Sequence, residues 1–387
     1  MLKTEKLRIV HVIPSLKRGG AEGLVANICN KLSKREDIDC LLIALSEDND
    51  YHEITRNVKV VNCNSKVVPS IFGKPNVNID NYIKIITEFK PQIIHSHLFQ
   101  AEILTRWHLF NNVCYVSHMH NNEKQLKNIE FKYLYKKKII TNLYEKWLII
   151  NRYKKCKNNF IAISNDVEQY LKKVLPLKFY KNIHLLHNAI DFSSFYHNKS
   201  IDEYVSEYRF ITIGRMVEVK NQTFLIDVIN EMHNKSIPAK LDIYGEGPAR
   251  ESLQKKIDKY KLNDFIILKG IVDKIQDILP QYSLYLHSAT HEPFGLAILE
   301  AMASGLPVIS LDGAGNRDII EQGKNGYMVF DKSPEVFAEK AIELMKDEKT
   351  YKRMSSYANN FAFKFDIENY INELLVLYSK MLEIKKG

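Results

Sequence analysis

Two glutamates eight residues apart, Glu292 and Glu300, stand in the stretch "HEPFGLAILEAMASGLPVIS" (291–310). The apolar spacing predicts a helix beginning near Phe294, with Glu292 at its mouth and Glu300 partway along it. At such a start the backbone amides of Phe294, Gly295 and Leu296 point away from the helix and suit an anion. Six residues of helix, from Phe294 to Glu300, span about 9 Å, comparable to a diphosphate. A carboxylate has two acceptor oxygens and suits a vicinal diol. One glutamate can therefore hold a sugar and the other a ribose, with phosphates between them.

Other residues suit the same anion. "GRMVEVKN" (214–221) opens at Gly214, places Arg215 at a strand's carboxyl end and puts Lys220 at the next helix start. Two cations there match a diphosphate; the plain alternative is a solvated loop. Gly19 and Gly20 close the loop "SLKRGG" directly before a helix, where bare backbone can approach a phosphate. The alternative is a tight strand-to-helix turn. The common nucleotide signatures fail: G-x-x-x-x-G-K-[ST] is absent, and neither "GEGPAR" (245–250) nor "GAGNRD" (313–318) completes G-x-G-x-x-G. A P-loop ATPase and a dinucleotide dehydrogenase are both disfavoured.

Histidines and paired aspartates invite a metal reading. His95/His97 and His118/His120 end two strands, each pair on one strand face. No carboxylate cluster accompanies them, and core histidines satisfied by neighbours are the simpler expectation for His95 and His118. Asp37-Ile-Asp39 and Asp48-Asn-Asp50 fall in turns and read as solvated surface. The five cysteines, Cys29, Cys40, Cys63, Cys114 and Cys156, form no C-x-x-C pair, which suits free thiols in a reducing compartment.

The elements that must position these groups alternate. "LRIVHVIP" (7–14), "CLLIAL" (40–45), "VKVVN" (58–62), "QIIHSH" (92–97), "VCYVSH" (113–118) and "FIAIS" (160–164) read as strands separated by helices. The rhythm restarts at "RFITIGR" (209–215) and continues through 240–245, 265–270, 283–289 and 307–312. The expectation is α/β with two doubly wound, Rossmann-like domains facing each other across a cleft, ligands lying beyond the strands' carboxyl ends. The boundaries are placed at 1–187, 188–365 and a final amphipathic helix, 366–387. A length of 387 residues suits two domains.

Charge divides unevenly. Residues 1–187 carry 30 Lys+Arg against 17 Asp+Glu, net +13, and residues 188–387 carry 25 against 29, net −4. Residues 131–157 alone hold nine Lys/Arg against one glutamate, with Tyr133, Tyr135, Tyr144, Trp147 and Tyr153 interleaved. That pattern suits an anionic membrane surface; the alternative is a basic helix pair with its aromatics packed inward. No nucleic-acid recognition module is present. The N-terminus is no signal peptide, because His11 and Pro14 break its apolar stretch, and no run of residues is long enough to span a membrane. A cytoplasmic protein, at the inner face of the membrane if it binds there, is expected.

Taken together, these residues resemble the retaining glycosyltransferases of family 4, with the GT-B fold. The E-x7-E motif stands as Glu292-PFGLAIL-Glu300, with "RGGAE" (18–22), "NAID" (188–191), "GRMVEVKN", "YGEGPARESL" (244–253), "LKGIV" (268–272) and "GKNGYMV" (323–329) in the family's order. The resemblance implies a nucleotide diphosphate-sugar donor in the C-terminal domain and a glycan or lipid-linked acceptor on the N-terminal one. Arg215 and Lys220 would neutralise the leaving diphosphate, and Glu292 with the following amides would hold the sugar. Glu300 would hold the ribose, Gly245 would give room beside the nucleotide, and Val272 would lie near the base. His120 aligns best with the family's active-site histidine, His118 is the other candidate, and His97 is placed on the acceptor side. The last helix would cross back to the N-terminal domain. Ala189 and Asn221 stand where the family often has glycine. No cofactor and no metal are expected. A nucleotide-sugar epimerase of the same fold and a catalytically silent partner subunit are the alternatives.

Overall fold

Alternating apolar strands and amphipathic helices build two parallel sheets, each covered by helices. The computed structural model describes residues 6–65, 67–68, 76–127, 137–196 and 207–386. Two units are present: residues 1–188 with 367–387, and residues 189–366.

In the first unit the strands are β1 (Leu7–Ile13), β2 (Ile38–Ala44), β3 (Lys59–Asn62), the short pair β4 (Val67–Val68) and β5 (Asn76–Val77), β6 (Ile93–His97), β7 (Cys114–Met119), β8 (Asn159–Ala162) and β9 (Ile183–Leu185). Seven form one sheet in the order β3-β2-β1-β6-β7-β8-β9, all neighbours parallel. Because side chains alternate, His11, His95, His97, His118 and His120 share one face, while Ser96 and Ser117 point to the other. The helix Gly20–Ser33 buries Leu24, Val25, Ala26, Ile28, Cys29 and Leu32, the spacing of one helical face. The last helix, Ile367–Lys386, belongs to this unit, and its buried Tyr378 hydroxyl meets His95 Nδ1 at 2.6 Å.

The second unit holds β10 (Arg209–Ile213), β11 (Lys240–Tyr244), β12 (Ile266–Gly270), β13 (Leu284–His287), β14 (Val308–Leu311) and β15 (Gly326–Val329). Their order is β12-β11-β10-β13-β14-β15, again all parallel. Connections therefore reverse direction between β10 and β13, the switch point at which open α/β sheets leave a crevice for ligands. The first unit reverses in the same way between β1 and β6. Buried aliphatic and aromatic residues fill the space between the second sheet and its helices, among them Phe210, Leu225, Ile229, Ile243, Leu286 and Phe337. Sequence reading placed eleven of these strands within a few residues. It did not pick out the two-residue pair β4 and β5, nor β9 and β15, which are short, outermost strands without a sustained apolar run.

Candidate active site

The carboxyl edge of the second sheet gathers the charged residues singled out above. β10 and β13 are neighbours, so the loops that follow them meet. Lys220 Nζ donates to Glu292 Oε2 at 2.5 Å, and His287 Nε2 lies 3.2 Å from the same oxygen. Burial alone would raise the Glu292 carboxyl. The Lys220 ammonium, and after it His287, overcome that and bring it down to about 2. Glu292 is thus an anion throughout the physiological range. Its backbone is fixed from both sides: its amide donates to Gly313 O and its carbonyl accepts from Gly315 N. On the facing loop, Ser288 Oγ donates to Lys220 O and Thr290 N to Val219 O. Asn221 sits at φ +52°, the left-handed region that asparagine enters at low cost, which explains its place at a position suited to glycine.

The helix after Glu292 begins later than the spacing predicts. It runs Leu296–Ala303, because Gly295 adopts φ +108° and Phe294 is buried against Phe365. A Cβ at Gly295 would lie 2.9 Å from Ile298 Cδ1, so the turn requires glycine in both conformation and space. The amides of Gly295, Leu296 and Ala297 have no acceptor among the described residues, one position along from those expected. Glu300 is half-buried, no described group pairs with its carboxylate, and burial lifts it to about 7. The two glutamates of the motif thus have opposite electrostatic settings.

Neighbouring loops complete this edge. Gly214 and Gly245 follow β10 and β11 and touch: a Cβ at Gly245, where φ is +129°, would lie 2.1 Å from Gly214 O. Gly245 is therefore demanded by the adjoining backbone. Arg215 is exposed, and no described residue holds its guanidinium. The backbone beneath it is held by Gln222, whose buried amide donates to Arg215 O at 3.0 Å. Sequence reading passed over Gln222; its signal is a polar residue on the inward side of an otherwise apolar helix start. Val272, half-buried, follows β12 on the same edge.

In the first unit the glycine loop is occupied by its own chain. A Cβ on Gly19 would lie 2.2 Å from Glu22 Oε2, so this carboxylate folds over the helix end where a phosphate was expected. Tyr51 OH accepts from Gly19 N and donates to Gly19 O, and Arg18 N donates to Asp50 Oδ2. Asp48 pairs with Lys17 at 3.3 Å. The Asp48-Asn-Asp50 string is therefore exposed, as read, but it also anchors the loop. Gly20 begins the helix.

The histidines form a buried chain. His11 Nδ1 meets His97 Nε2 at 3.0 Å, and His97 Nδ1 meets His120 Nε2 at 2.9 Å. With both nitrogens taken and no exposure, His97 cannot face an acceptor directly; it holds His11 and His120 instead. His118 stacks on His120 with ring centroids 4.3 Å apart and is 1% exposed, against 8% for His120. Burial pushes His11 and His120 down to about 3, and His95, His97 and His118 lower as well, so all five rings are neutral. Backbone strain marks the same point: Leu98, directly after His97, has φ +65°. Two histidine triads, and His11 with Cys29 and Cys40, bring potential metal-ligating atoms within 4.8 Å of one another.

On the opposite sheet face lies a network that sequence reading missed. Arg106 and Glu102, four apart on the helix Leu98–Trp107, are both buried. Glu102 accepts from Ser96, Ser117 and Tyr153, while Arg106 donates to Asn158 Oδ1 through Nε and Nη2. The spacing of Glu and Arg on one helix face was the available signal.

Of the basic stretch, residues 131–136 lie outside the described residues, as do the side chains of Lys137 and Lys138. The helix Lys137–Cys156 exposes Trp147 by 62% with Tyr144 stacked on it, and buries Tyr153. Lys154, Lys155 and Lys157 are exposed. Among the described residues no helix is long and apolar enough to cross a membrane.

Known proteins resemble this chain in sequence and in fold. The sequence model "Glycosyltransferase Family 4" matches residues 18–194, and "Glycosyl transferases group 1" matches residues 196–361. A poly(glycerol-phosphate) alpha-glucosyltransferase of Bacillus subtilis is 31% identical over 180 residues, 46% of this chain and 27% of the relative. The GtfA subunit of a UDP-N-acetylglucosamine–peptide N-acetylglucosaminyltransferase of Streptococcus gordonii is 35% identical over 172 residues, 42% of this chain and 33% of the relative. The chain thus spans about a quarter to a third of the length of such curated relatives. Anabaena HepE in complex with UDP-glucose superposes with a TM-score of 0.78 at 18% identity, over 97% of this chain and 100% of that one. Sucrose-phosphate synthase of Thermosynechococcus elongatus gives 0.78 at 15% identity, over 98% and 100%. With both sequence models matched in succession and two Rossmann-like units in place, the chain belongs to the GT-B glycosyltransferases of the group 1 and family 4 type.

Proposed function

We propose that the chain is a retaining, metal-independent hexosyltransferase or N-acetylhexosaminyltransferase. A nucleotide diphosphate-sugar, with UDP the favoured nucleotide, gives its sugar to a glycan or lipid-linked glycan in cell-surface polysaccharide synthesis. The observation that carries this reading is the set of groups converging on the second sheet's switch point. They are an ionised Glu292 held by Lys220, together with Arg215 and the amides of Gly295, Leu296 and Ala297, which have no partner among the described residues.

These groups suit a reaction that separates charge. As the bond from the sugar's anomeric carbon to the diphosphate oxygen breaks, negative charge grows on the diphosphate and positive charge on the sugar. Fixed donors aimed at the growing anion stabilise that transition state without reorganisation. Lys220 has three ammonium protons, so it can keep Glu292 and still reach a phosphate oxygen. The Glu292 anion accepts sugar hydroxyls and favours the cationic sugar. On a front-side path the departing diphosphate takes the acceptor's proton, and no protein nucleophile is needed. Glu300 accepts the ribose diol, and His120 in the first unit is assigned to the donor sugar by resemblance. The net +13 of residues 1–187 suits an anionic acceptor. Relatives are named for poly(glycerol-phosphate) and poly(ribitol-phosphate) substrates, and others for peptide.

A melting screen against UDP-, GDP- and ADP-sugars tests the donor. A ligand at 100 times its Kd stabilises the fold by about 2.7 kcal/mol, a readily seen shift. Release of nucleotide diphosphate should then require a crude lipid or glycan acceptor. Release that ignores the acceptor points to an epimerase, and binding without turnover points to a silent subunit. If no nucleotide-sugar raises the melting temperature, the reading fails.

A further inference from the structure

The core of the first unit holds polar groups that neither the donor edge nor ordinary packing explains. His11 on β1, Cys40 on β2 and Cys29 on the helix Gly20–Ser33 are all buried. A ring nitrogen of His11 and the two sulfurs lie within 4.8 Å of one another. His11 also belongs to a second such group, with His95 and His97. His11 Nε2 and His95 Nε2 are buried without a hydrogen-bond partner. An apolar core accommodates a thiol well, but a bare ring nitrogen there is destabilising unless something binds it. The other nitrogens are already fixed: His95 Nδ1 by the Tyr378 hydroxyl at 2.6 Å, and His11 Nδ1 by His97 at 3.0 Å. Imidazoles that bind metals are oriented from behind in this way.

We propose that Cys29, Cys40 and His11 bind a structural transition-metal ion of the zinc class. Two sulfurs and an imidazole nitrogen are donors that such ions prefer, whereas magnesium and calcium require oxygen ligands. As the dication enters, the two thiols release their protons to solvent and become thiolates. The site is then neutral overall, which removes the cost of an unpaired charge in a buried place. The ion would tie the helix behind the glycine loop to two neighbouring strands. It lies in the first unit's core, and His11 reaches His120 only through His97. The ligands come from three successive elements, and no spacing motif announces them.

The test is the metal content of the full chain, purified without chelator after expression with added zinc, measured by plasma mass spectrometry. About one ion per chain is expected. Cys29→Ser, Cys40→Ser and His11→Ala should each lower it to below about a tenth, while Cys63→Ser keeps it. Cobalt-substituted wild type should show sulfur-to-cobalt charge-transfer absorption, which an all-histidine site cannot give. This measurement needs no variant to fold. Wild type that folds without metal, or that carries a Cys29–Cys40 disulfide, overturns the proposal. So does metal retained in Cys29→Ser without sulfur absorption, which would place the ion on His97, His118 and His120.

Discussion

Glu300 gives the sharpest test of the donor site, because burial holds its carboxyl at about 7 and no described group pairs with it. Only the ionised form offers both oxygens as acceptors to a ribose diol. With a pKa of about 7, the ionised fraction is about 9% at pH 6 and about 91% at pH 8. Apparent affinity scales with the competent fraction, so a UDP-sugar should bind about tenfold more tightly at pH 8, a difference of about 1.4 kcal/mol. A UDP-sugar is the right probe, because its diphosphate is esterified at both ends and does not titrate in this window. Binding favours the charged carboxylate, so close to one proton should be released at pH 6 and about a tenth at pH 8. Calorimetry in buffers of different ionisation enthalpy reads both quantities. Glu300→Gln should bind weakly and without this pH slope. The variant also reports on stability. A carboxyl raised from 4.5 to about 7 on folding leaves stability intact below about pH 4.5 and removes it as pH rises through 7. That is about 3 kcal/mol before allowing for partial exposure and nearer 1–2 after it. The apo variant should therefore match wild type at pH 4.5 and exceed it at pH 8. An unchanged slope in Glu300→Gln, or flat wild-type affinity between pH 6 and 8, would refute the reasoning.

Three further outcomes follow from the geometry. Lys220→Ala and Arg215→Ala should each slow turnover by two or more orders of magnitude, from about 3 kcal/mol of lost transition-state stabilisation. Only Lys220→Ala should also lower the melting temperature, because it strands the buried Glu292 anion, and adding Glu292→Gln should restore stability but not turnover. Gly245→Ala should destabilise by at least about 2 kcal/mol in urea titrations, since its Cβ would press into Gly214 O at a positive φ; a neutral result would mean this edge is not built as described. Wild type should float with phosphatidylglycerol vesicles at low salt and be released by salt, and Glu at Lys154, Lys155 and Lys157 should weaken flotation while leaving UDP-sugar binding intact. Wild type that never floats removes the membrane from the proposal.

Much of the fold was legible because strands and helices in an α/β chain write their periods locally. The second unit's candidate residues were legible for a related reason: they lie in the loops after strands or on the helix that such a loop opens, and all carboxyl ends of a parallel sheet lie on one edge. What sequence did not reveal is contact across that edge. The helix start moved past Phe294 because Gly295 turns left-handed and Phe294 finds Phe365, and neither fact is local. The loop at Gly19 looked open until Glu22 folded over it. The same limit hid the first unit's interior: His11 seemed only to interrupt an apolar run, and Cys29 and Cys40 seemed scattered. Strand register and a covering helix bring them together, and neither leaves a spacing in the sequence.

The pairing of Lys220 with Glu292 shows how topology turns distant loops into one site. The two residues are 72 positions apart, with β11 and β12 between them in sequence. Those strands lie on the other side of β10, because the order is β12-β11-β10-β13. The chain fills one half of the sheet, returns, and lays β13 against the free edge of β10. The loops after β10 and β13 then meet, the first bringing a cation and the second an anion. The loops after β10 and β11 press backbone on backbone at Gly214 and Gly245 and leave no room for a side chain there. Chemistry at this edge therefore falls where the strand order reverses, and the sequence can place charged residues there only because the reversal comes first.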